Sequence, residues 1–236
     1  MATTVRVGMV LYKGCTLLDF AGATQVFAFA PGFEVVWLAP KMKPIETTEN
    51  VSVMPTATFR KAGKLDILFV PGGGSEVGTV MQDPEYVDFV RKAGSRARLA
   101  GSICTGAFIV AAAGLFDGVE VTTYWSQKEN LALFRALFPN LTVSAGYPRW
   151  VIHNNRFSGG GISSSIDLAL ELVSLISGPT QSMTTQLAIQ YAPEPPFQSG
   201  DPSQAPPEVT AAVLKDQKSF IAAVREGVEC VIGAEE

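Results

Sequence analysis

Short apolar runs rich in β-branched residues alternate along this chain with stretches of helical periodicity, and this alternation limits the possible folds more than any other feature. The first run, residues 5–11 (VRVGMVL), predicts a buried strand, and residues 17–29 predict the helix that follows it. Further strands are predicted at residues 34–39, 66–70 and 99–103. Because parallel strands need crossover helices, the pattern predicts an α/β, flavodoxin-like sandwich with a mostly parallel sheet and helices on both faces.

Later segments extend the same pattern. A β-hairpin is predicted over residues 150–158, because Asn154 and Asn155 tolerate the positive φ of a tight turn. Short strands are predicted within residues 44–54, at 119–122 and at 141–144. The remaining predicted helices are at residues 83–93, 105–113, 127–138, 163–176, 180–191 and 208–225.

The chain has 236 residues, enough for one large α/β domain or two small ones. Residues 193–207 (PEPPFQSGDPSQAPP) are rich in Pro, Ser and Gly, which indicates a surface wrap or a linker. The helix predicted after them is too short to be a domain of its own. We therefore expect an α/β domain over residues 1–192, followed over residues 193–236 by a Pro-rich C-terminal arm and helix that pack on this domain or on a partner copy.

Charge and residue counts argue against several classes of function. Lys and Arg total 18 against 22 Asp and Glu, so the net charge of −4 argues against nucleic-acid binding. The longest apolar stretch, residues 107–116, is too short to cross a bilayer, and no targeting segment is visible, so we expect a cytoplasmic protein. One histidine and three widely spaced cysteines without a CxxC argue against a His-rich metal site, a zinc ribbon and a disulfide framework.

The sharpest local feature is the sequence GSICTG at residues 101–106, where Cys104 stands between a predicted strand and a predicted helix. A nucleophile on such a sharp turn is a nucleophile elbow, which needs small neighbours such as Ser102 and Gly106. The helix beginning at Thr105 would direct free N–H groups and its positive end at the sulfur, which favours the thiolate. We interpret Cys104 as a nucleophile; the alternative is a buried, inert cysteine at a strand end.

Two further features are expected at the same edge of the sheet. Residues 71–74 (PGGG) follow a strand, and their backbone can approach a ligand or donate N–H groups to an oxyanion, although an ordinary βα turn has the same composition. Asp19 follows the first strand and is either a helix cap or an acid/base group. Because ligands bind at the carboxyl ends of parallel strands and no histidine is near Cys104 in the sequence, Asp19 is the best acid/base candidate.

The other candidates are weaker. His153 precedes the predicted hairpin turn, where a histidine is more often structural or solvated than catalytic. Tyr124 and Trp125 follow a strand end and can form a pocket wall, although large aromatic residues more often belong to a core or an interface. Cys15 can line the site but is more simply a small, semi-buried residue, and Cys230 in the C-terminal tail has no context for chemistry.

Six short motifs carry a family resemblance. They are LDFAG at residues 18–22, VPGG at 70–73, SICTG at 102–106, AGL at 113–115, TT at 122–123 and SGGGI at 158–162. In this order they resemble the ThiJ/PfpI superfamily, whose fold is similar to the class I glutamine amidotransferase domain. The Asp in LDFAG, where many members have Glu, and the tail motifs QYAPEPPF at 190–197 and GDP at 200–202 make the isocyanide hydratase branch the most similar.

The resemblance implies an enzyme that adds water to an isocyanide to give an N-substituted formamide. Cys104 would attack the terminal carbon to form a thioimidate, Asp19 would exchange protons with that carbon or with the attacking water, and Thr105 would support both residues. The family is homodimeric, with its active site near the dimer interface, and uses no cofactor or metal. The residues that would line the substrate and oxyanion pocket are Gly72, Gly73, Ile162, Tyr124 and Trp125.

One departure from the family pattern bears on the mechanism. Many relatives have a histidine where this chain has Tyr124, within TTYW at residues 122–125. A glyoxalase or deglycase acting on α-oxoaldehydes would need a His or Glu partner for the same cysteine; it stays an alternative. Two further alternatives are a ligand sensor and a redox sensor based on oxidation of Cys104. Residues 193–236 contain no basic recognition helix, which argues against DNA binding.

Overall fold

The structure, a computed structural model, describes residues 4–127 and 134–219 and, beyond them, residues 221, 222, 225, 226 and 229. In chain order the strands are β1 (Val5–Val10), β2 (Phe33–Ala39), β3 (Ile45–Glu46), β4 (Ser52–Val53), β5 (Ala57–Thr58), β6 (Ile67–Val70), β7 (Leu99–Ile103), β8 (Glu120–Val121), β9 (Thr142–Val143), β10 (Trp150–His153) and β11 (Arg156–Gly159). The helices are α1 (Leu17–Phe29), α2 (Glu76–Gln82), α3 (Pro84–Arg96), α4 (Gly106–Ala112), α5 (Ser164–Ser177), α6 (Pro179–Ala188) and α7 (Pro207–Asp216).

A seven-stranded sheet in the order β10-β11-β7-β6-β1-β2-β5 forms the centre of the fold. Its neighbouring strands are parallel, except in the hairpin of β10 and β11. Helices connect the parallel strands and surround the sheet. The predicted α/β, flavodoxin-like architecture with a mostly parallel sheet is therefore confirmed.

The middle of the sheet is buried along whole strands. Every residue of β6 and β7 is buried, because each position carries an apolar or small side chain. Gly101 in β7 pairs with Phe69 on one neighbouring strand and with Phe157 on the other. The two phenyl rings meet across the glycine with centroids 5.4 Å apart, and a Cβ on Gly101 would stand 2.6 Å from Cδ2 of Phe157. This packing fixes the end of β7, where Cys104 follows.

Helix ends and turns in the structure have residues that suit their hydrogen bonds or backbone angles. Asp83 caps α3 by accepting the N–H of Glu85 at 2.8 Å. Asn154 has a φ of 56° at the turn of the predicted hairpin. Gly178, with a φ of 90°, ends α5 and precedes α6. No helix in the described part of the chain is long and apolar enough to cross a membrane.

Other segments differ from the prediction. The strands predicted at residues 119–122 and 141–144 form a separate parallel pair, β8 and β9, because the hairpin of β10 and β11 occupies the edge of the main sheet. The sequence pattern did not indicate β5 or α2; the latter carries Gly78 and follows three glycines, which obscure a helical pattern. Residues 128–133 of the helix predicted at 127–138 lie outside the described residues, as do Cys230 and parts of the helix predicted at 208–225.

Candidate active site

Cys104 occupies a sharp turn between β7 and α4, at the carboxyl end of the sheet. Its φ of 56° lies in the left-handed region that few non-glycine residues adopt, as a nucleophile elbow requires. Its N–H donates to the carbonyl of Gly159 at 3.0 Å, and its carbonyl accepts from the hydroxyl of Thr123 at 2.9 Å. These hydrogen bonds hold the unusual backbone in place, and Cys104 is only 5% exposed.

Asp19 is fully buried in the first turn of α1. Its Oδ2 accepts the N–H of Gly72 at 2.7 Å, whereas its Oδ1 has no hydrogen-bond partner among the described residues. Burial raises the pKa of Asp19 to about 8; the Gly72 hydrogen bond lowers the pKa, and the charge of Glu49 raises it. The carboxyl therefore changes protonation near neutral pH, as an acid/base group must.

The position of Asp19 in α1 rules out the helix-cap interpretation. The N-cap residue is Thr16, and the N–H of Leu17 is accepted by Oε2 of Glu49 at 3.0 Å. The Asp19 carboxyl instead reaches across to the loop that follows β6. The Glu49 side chain thus accepts a free N–H at the start of α1, and the Asp19 carboxyl is available for another role.

The glycines after β6 hold their neighbours in place. The N–H of Gly73 donates to Oγ1 of Thr105 at 3.0 Å, and the Thr105 hydroxyl donates to the Gly73 carbonyl at 3.1 Å. The N–H of Gly72 donates to Asp19, so the protein itself uses both N–H groups that we expected to serve an oxyanion. A Cβ on Gly72 would stand 2.7 Å from both Cβ of Cys104 and the backbone N of Thr105. Only glycine fits there, and the loop sets the relative positions of Cys104, Asp19 and Thr105.

The surroundings of the Cys104 thiol differ from what the helix end alone predicts. Burial raises the pKa of Cys104 well above its usual value, and Asp19 raises it further, whereas hydrogen bonding by Thr105 lowers it. The helix that follows has only seven residues, and its positive end does not outweigh burial. Burial and the neighbouring Asp19 carboxyl therefore both favour the neutral thiol over the thiolate.

A further group of side chains lies on the β11 side of Cys104. A Cβ on Gly161 would stand 3.7 Å from Cδ2 of Tyr124, so this ring packs against the loop after β11. The rings of Tyr124 and Trp125 have centroids 6.1 Å apart, and Ile162 beside this loop is 37% exposed. The Tyr124 hydroxyl accepts a hydrogen bond from Nε2 of Gln217 at 2.8 Å. Gln217 could not be predicted from the sequence, because no local motif marks a residue 93 positions further along the chain.

His153 and Cys15 make contacts that are typical of structural residues. Nδ1 of His153 accepts the N–H of Glu120 at 3.1 Å, which ties the hairpin to β8. Cys15 is fully buried, its backbone pairs with that of Gly73, and burial raises its pKa to about 12. Within the ranges that the structure describes, no group of three or more His, Cys, Asp or Glu side chains could hold a metal ion.

A cysteine elbow at the end of a parallel sheet, beside a buried carboxylic acid, defines an α/β protein with a candidate cysteine active site. The chain belongs to the DJ-1/PfpI family, whose model matches residues 5–175, and the resemblance predicted from the motifs is thereby confirmed.

Comparisons with individual proteins agree with this family. The chain is 35% identical to isonitrile hydratase from Pseudomonas putida over 89% of each chain. It is 28% identical to the HTH-type transcriptional regulator GbdR from Pseudomonas aeruginosa, over 71% of this chain and 45% of the regulator. The crystal structure of a ThiJ/PfpI family protein from Pseudomonas syringae, 29% identical, superposes with a TM-score of 0.87 and covers 95% of this chain and 90% of that one.

Proposed function

We propose that this chain is an enzyme that hydrates isocyanides to N-substituted formamides. The observation that carries the proposal is the Asp19 carboxyl beside the elbow at Cys104: one oxygen is held by Gly72, and the other has no partner among the described residues. A buried acid with one free oxygen is suited to exchange a proton with a small reactant. The similarity to isonitrile hydratase from Pseudomonas putida supports the same reaction.

The proposed chemistry has two stages. In the first, the sulfur of Cys104 bonds to the terminal carbon of the isocyanide, this carbon takes a proton from Asp19, and Asp19 recovers a proton from the thiol. The product is a thioimidate. In the second, water adds to the same carbon, a proton moves to the nitrogen, and the C–S bond breaks. One isocyanide and one water give one formamide, and the thiol is regenerated.

The burial of both groups supports the order of these steps. Burial raises the pKa of Asp19 and the pKa of Cys104, which keeps both protons on the protein before the substrate arrives. A neutral site suits an uncharged isocyanide, and a proton is already present for the carbon that the sulfur attacks. Thr105, held by Gly73, then fixes the backbone next to the nucleophile.

The test mixes the purified protein with an alkyl isocyanide and follows formamide formation. We expect turnover by the wild-type protein, none by Cys104→Ala, and near wild-type turnover by the matched control Cys15→Ala, which removes the other buried cysteine among the described residues. Asp19→Asn should lower the rate at least about 100-fold while iodoacetamide still alkylates Cys104. Turnover of methylglyoxal without turnover of any isocyanide would overturn the proposal in favour of a glyoxalase.

A ligand sensor is the second candidate, favoured by the similarity to the regulator GbdR, of which the chain matches 45%. A sensor would bind a small molecule without converting it. Equilibrium binding of an isocyanide that is recovered unchanged, with no formamide, would support this candidate against the hydratase.

We also propose that the chain forms a homodimer in the cytoplasm, where its thiols stay reduced. Apolar side chains on three helices that pack together, α1, α5 and α6, are 43% to 80% exposed: Leu18, Leu175, Met183 and Leu187. Such a group of exposed apolar side chains is typical of an interface. Light scattering coupled to size-exclusion chromatography should give twice the chain mass for the wild-type protein and a lower mass for Leu187→Glu.

A further inference from the structure

Polar side chains gather around the hydroxyl of Tyr124. Nε2 of Gln217 donates to this hydroxyl at 2.8 Å. Burial raises the pKa of Tyr124, and the polar side chains of Gln217, Trp125 and Ser126 lie close enough to lower it. Tyr124, Ser126 and Gln217 form a polar cluster.

The polar cluster contains buried atoms that need a partner. Ser126 is fully buried, and its Oγ has no hydrogen-bond partner among the described residues. The same is true of the buried Oε1 of Gln217 within that part of the chain. Because unpaired buried polar atoms destabilise a fold, native proteins keep them mainly where a ligand or water pairs with them.

The polar cluster lies on the side of Cys104 away from Asp19. The strand that ends at Cys104, β7, has β6 on one side and β11 on the other. Asp19 is bonded to the loop after β6, whereas Tyr124 packs on Gly161 in the loop after β11. Thr123, the residue before Tyr124, donates its hydroxyl to the Cys104 carbonyl at 2.9 Å, so Tyr124 begins close to the elbow. A substrate whose carbon is bonded to the sulfur and faces Asp19 therefore extends its other end toward the polar cluster.

We propose that the polar cluster recognises a hydroxyl group on the substituent of the isocyanide. The inference rests on the proposed hydration of isocyanides at Cys104. A hydroxyl can donate to Oε1 of Gln217 and accept from the hydroxyl of Tyr124 or Ser126, so one group pairs with both kinds of free atom. An alkyl substituent would leave these atoms unpaired, and sites built to hydrogen-bond a substrate hydroxyl discriminate against analogues that lack it.

Gln217 is then a specificity-determining residue supplied by the C-terminal arm. It follows α7 directly, and it reaches a site whose nucleophile lies on the central sheet. Its amide has two polar ends: one is used on Tyr124, and the other is left for the substrate. A glutamine suits this position because its acceptor stays uncharged, so no ionised group has to be buried beside the Tyr124 hydroxyl.

The test compares two isocyanides of equal length, 4-hydroxybutyl isocyanide and pentyl isocyanide. We expect the wild-type protein to prefer the hydroxylated compound at least tenfold in kcat/KM, mostly through KM. Gln217→Met, which keeps the length of the side chain, should bring the ratio of the two kcat/KM values close to one. Gln204→Met makes the same change at an exposed position of the arm and should leave the ratio as in the wild-type protein.

A second variant tests the inference independently, in case Gln217→Met does not fold. Tyr124→Phe keeps the ring that packs on Gly161 and removes the hydroxyl, and it should also lower the ratio, with a melting temperature near that of the wild-type protein. Equal use of both isocyanides by the wild-type protein, or a preference that both variants keep, overturns the inference and leaves the hydratase proposal standing. Failure to hydrate either isocyanide overturns both proposals.

Discussion

Thr105 and Gly73 exchange two hydrogen bonds: the Gly73 N–H donates to the Thr105 hydroxyl oxygen at 3.0 Å, and that hydroxyl donates to the Gly73 carbonyl at 3.1 Å. Both groups are buried. The exchange joins the residue after Cys104 to the loop that holds Asp19. The relative position of the sulfur and the carboxyl therefore depends on one side-chain hydroxyl.

Replacing this hydroxyl should loosen the site. Thr105→Val has nearly the same shape but leaves the N–H and carbonyl of Gly73 without their partner, so we expect a loss of about 1–3 kcal/mol in the free energy of unfolding. We also expect kcat/KM for an alkyl isocyanide to fall at least about tenfold. Urea denaturation and steady-state kinetics measure the two effects. Thr105→Ser restores the hydroxyl and should recover most of both; wild-type kinetics in Thr105→Val would contradict the assigned role.

The close approach of Gly72 to the elbow gives a second prediction. In Gly72→Ala the new Cβ would stand 2.7 Å from Cβ of Cys104, so the elbow or the loop must shift. We expect a loss of stability of about 1–3 kcal/mol and slower alkylation of Cys104 by iodoacetamide. The control is Gly74→Ala, whose Cβ would meet the flexible end of Glu76 at 3.0 Å and Cγ2 of Thr48 at an ordinary contact distance of 3.5 Å. Equal effects of the two substitutions would show that contact with the elbow is not the cause.

The buried acid predicts how stability depends on pH. Burial raises the pKa of Asp19 from 3.8 to about 8, so between these values the folded state holds a proton that the unfolded state releases. The contribution of Asp19 to the free energy of unfolding should therefore decrease as the pH rises from about 4 to about 8. Asp19→Asn lacks the titrating group. Urea denaturation at several pH values should show the difference in stability, wild type minus Asn variant, falling across this window; a constant difference would refute the raised pKa.

Thr123 gives a prediction for the other side of the elbow. Its hydroxyl donates to the Cys104 carbonyl at 2.9 Å, so Thr123→Val leaves a buried carbonyl with one partner fewer. We expect a loss of about 1–3 kcal/mol in stability and a lower rate of isocyanide hydration. Thr123→Ser should recover both. Thr122→Val is the matched control, because within the described part of the chain the Thr122 hydroxyl makes only a long contact of 3.5 Å, with the Pro148 carbonyl. A larger effect at Thr122 than at Thr123 would count against the role of this hydrogen bond.

The features that could be predicted from the sequence are local ones. Six consecutive residues indicate the elbow at Cys104, and the mostly parallel sheet is predicted by apolar runs whose residues are buried on both faces. Asp19 could be placed near Cys104 because both follow parallel strands, and the carboxyl ends of such strands share one edge. It could not be predicted that Asp19 does not cap α1, because Glu49, which accepts the Leu17 N–H at the start of this helix, lies 32 residues from Leu17.

The features that escaped prediction depend on distant parts of the chain. The direction of the pKa shift of Cys104 is set mainly by burial, which no short motif reports, whereas the helix end that the motif reveals has the smaller effect. The TT motif at residues 122–123 does not reveal the hydrogen bond of Thr123 to the elbow, and Gln217 has no distinctive sequence surroundings. Only the folded chain brings them to the elbow and to Tyr124. The short β5 contributes two residues and gives no periodicity to detect.

The separation of Cys104 from Gln217 also bears on how the proposed enzyme can evolve. Cys104 is held in place by buried strands, where most substitutions destabilise the fold, whereas the described residues of the arm that carries Gln217 are largely exposed and outside the sheet. Mutations in the arm can therefore accumulate with little effect on folding. Under the proposed specificity role, natural selection could change the preferred substrate through the arm while the reaction at the elbow stays the same.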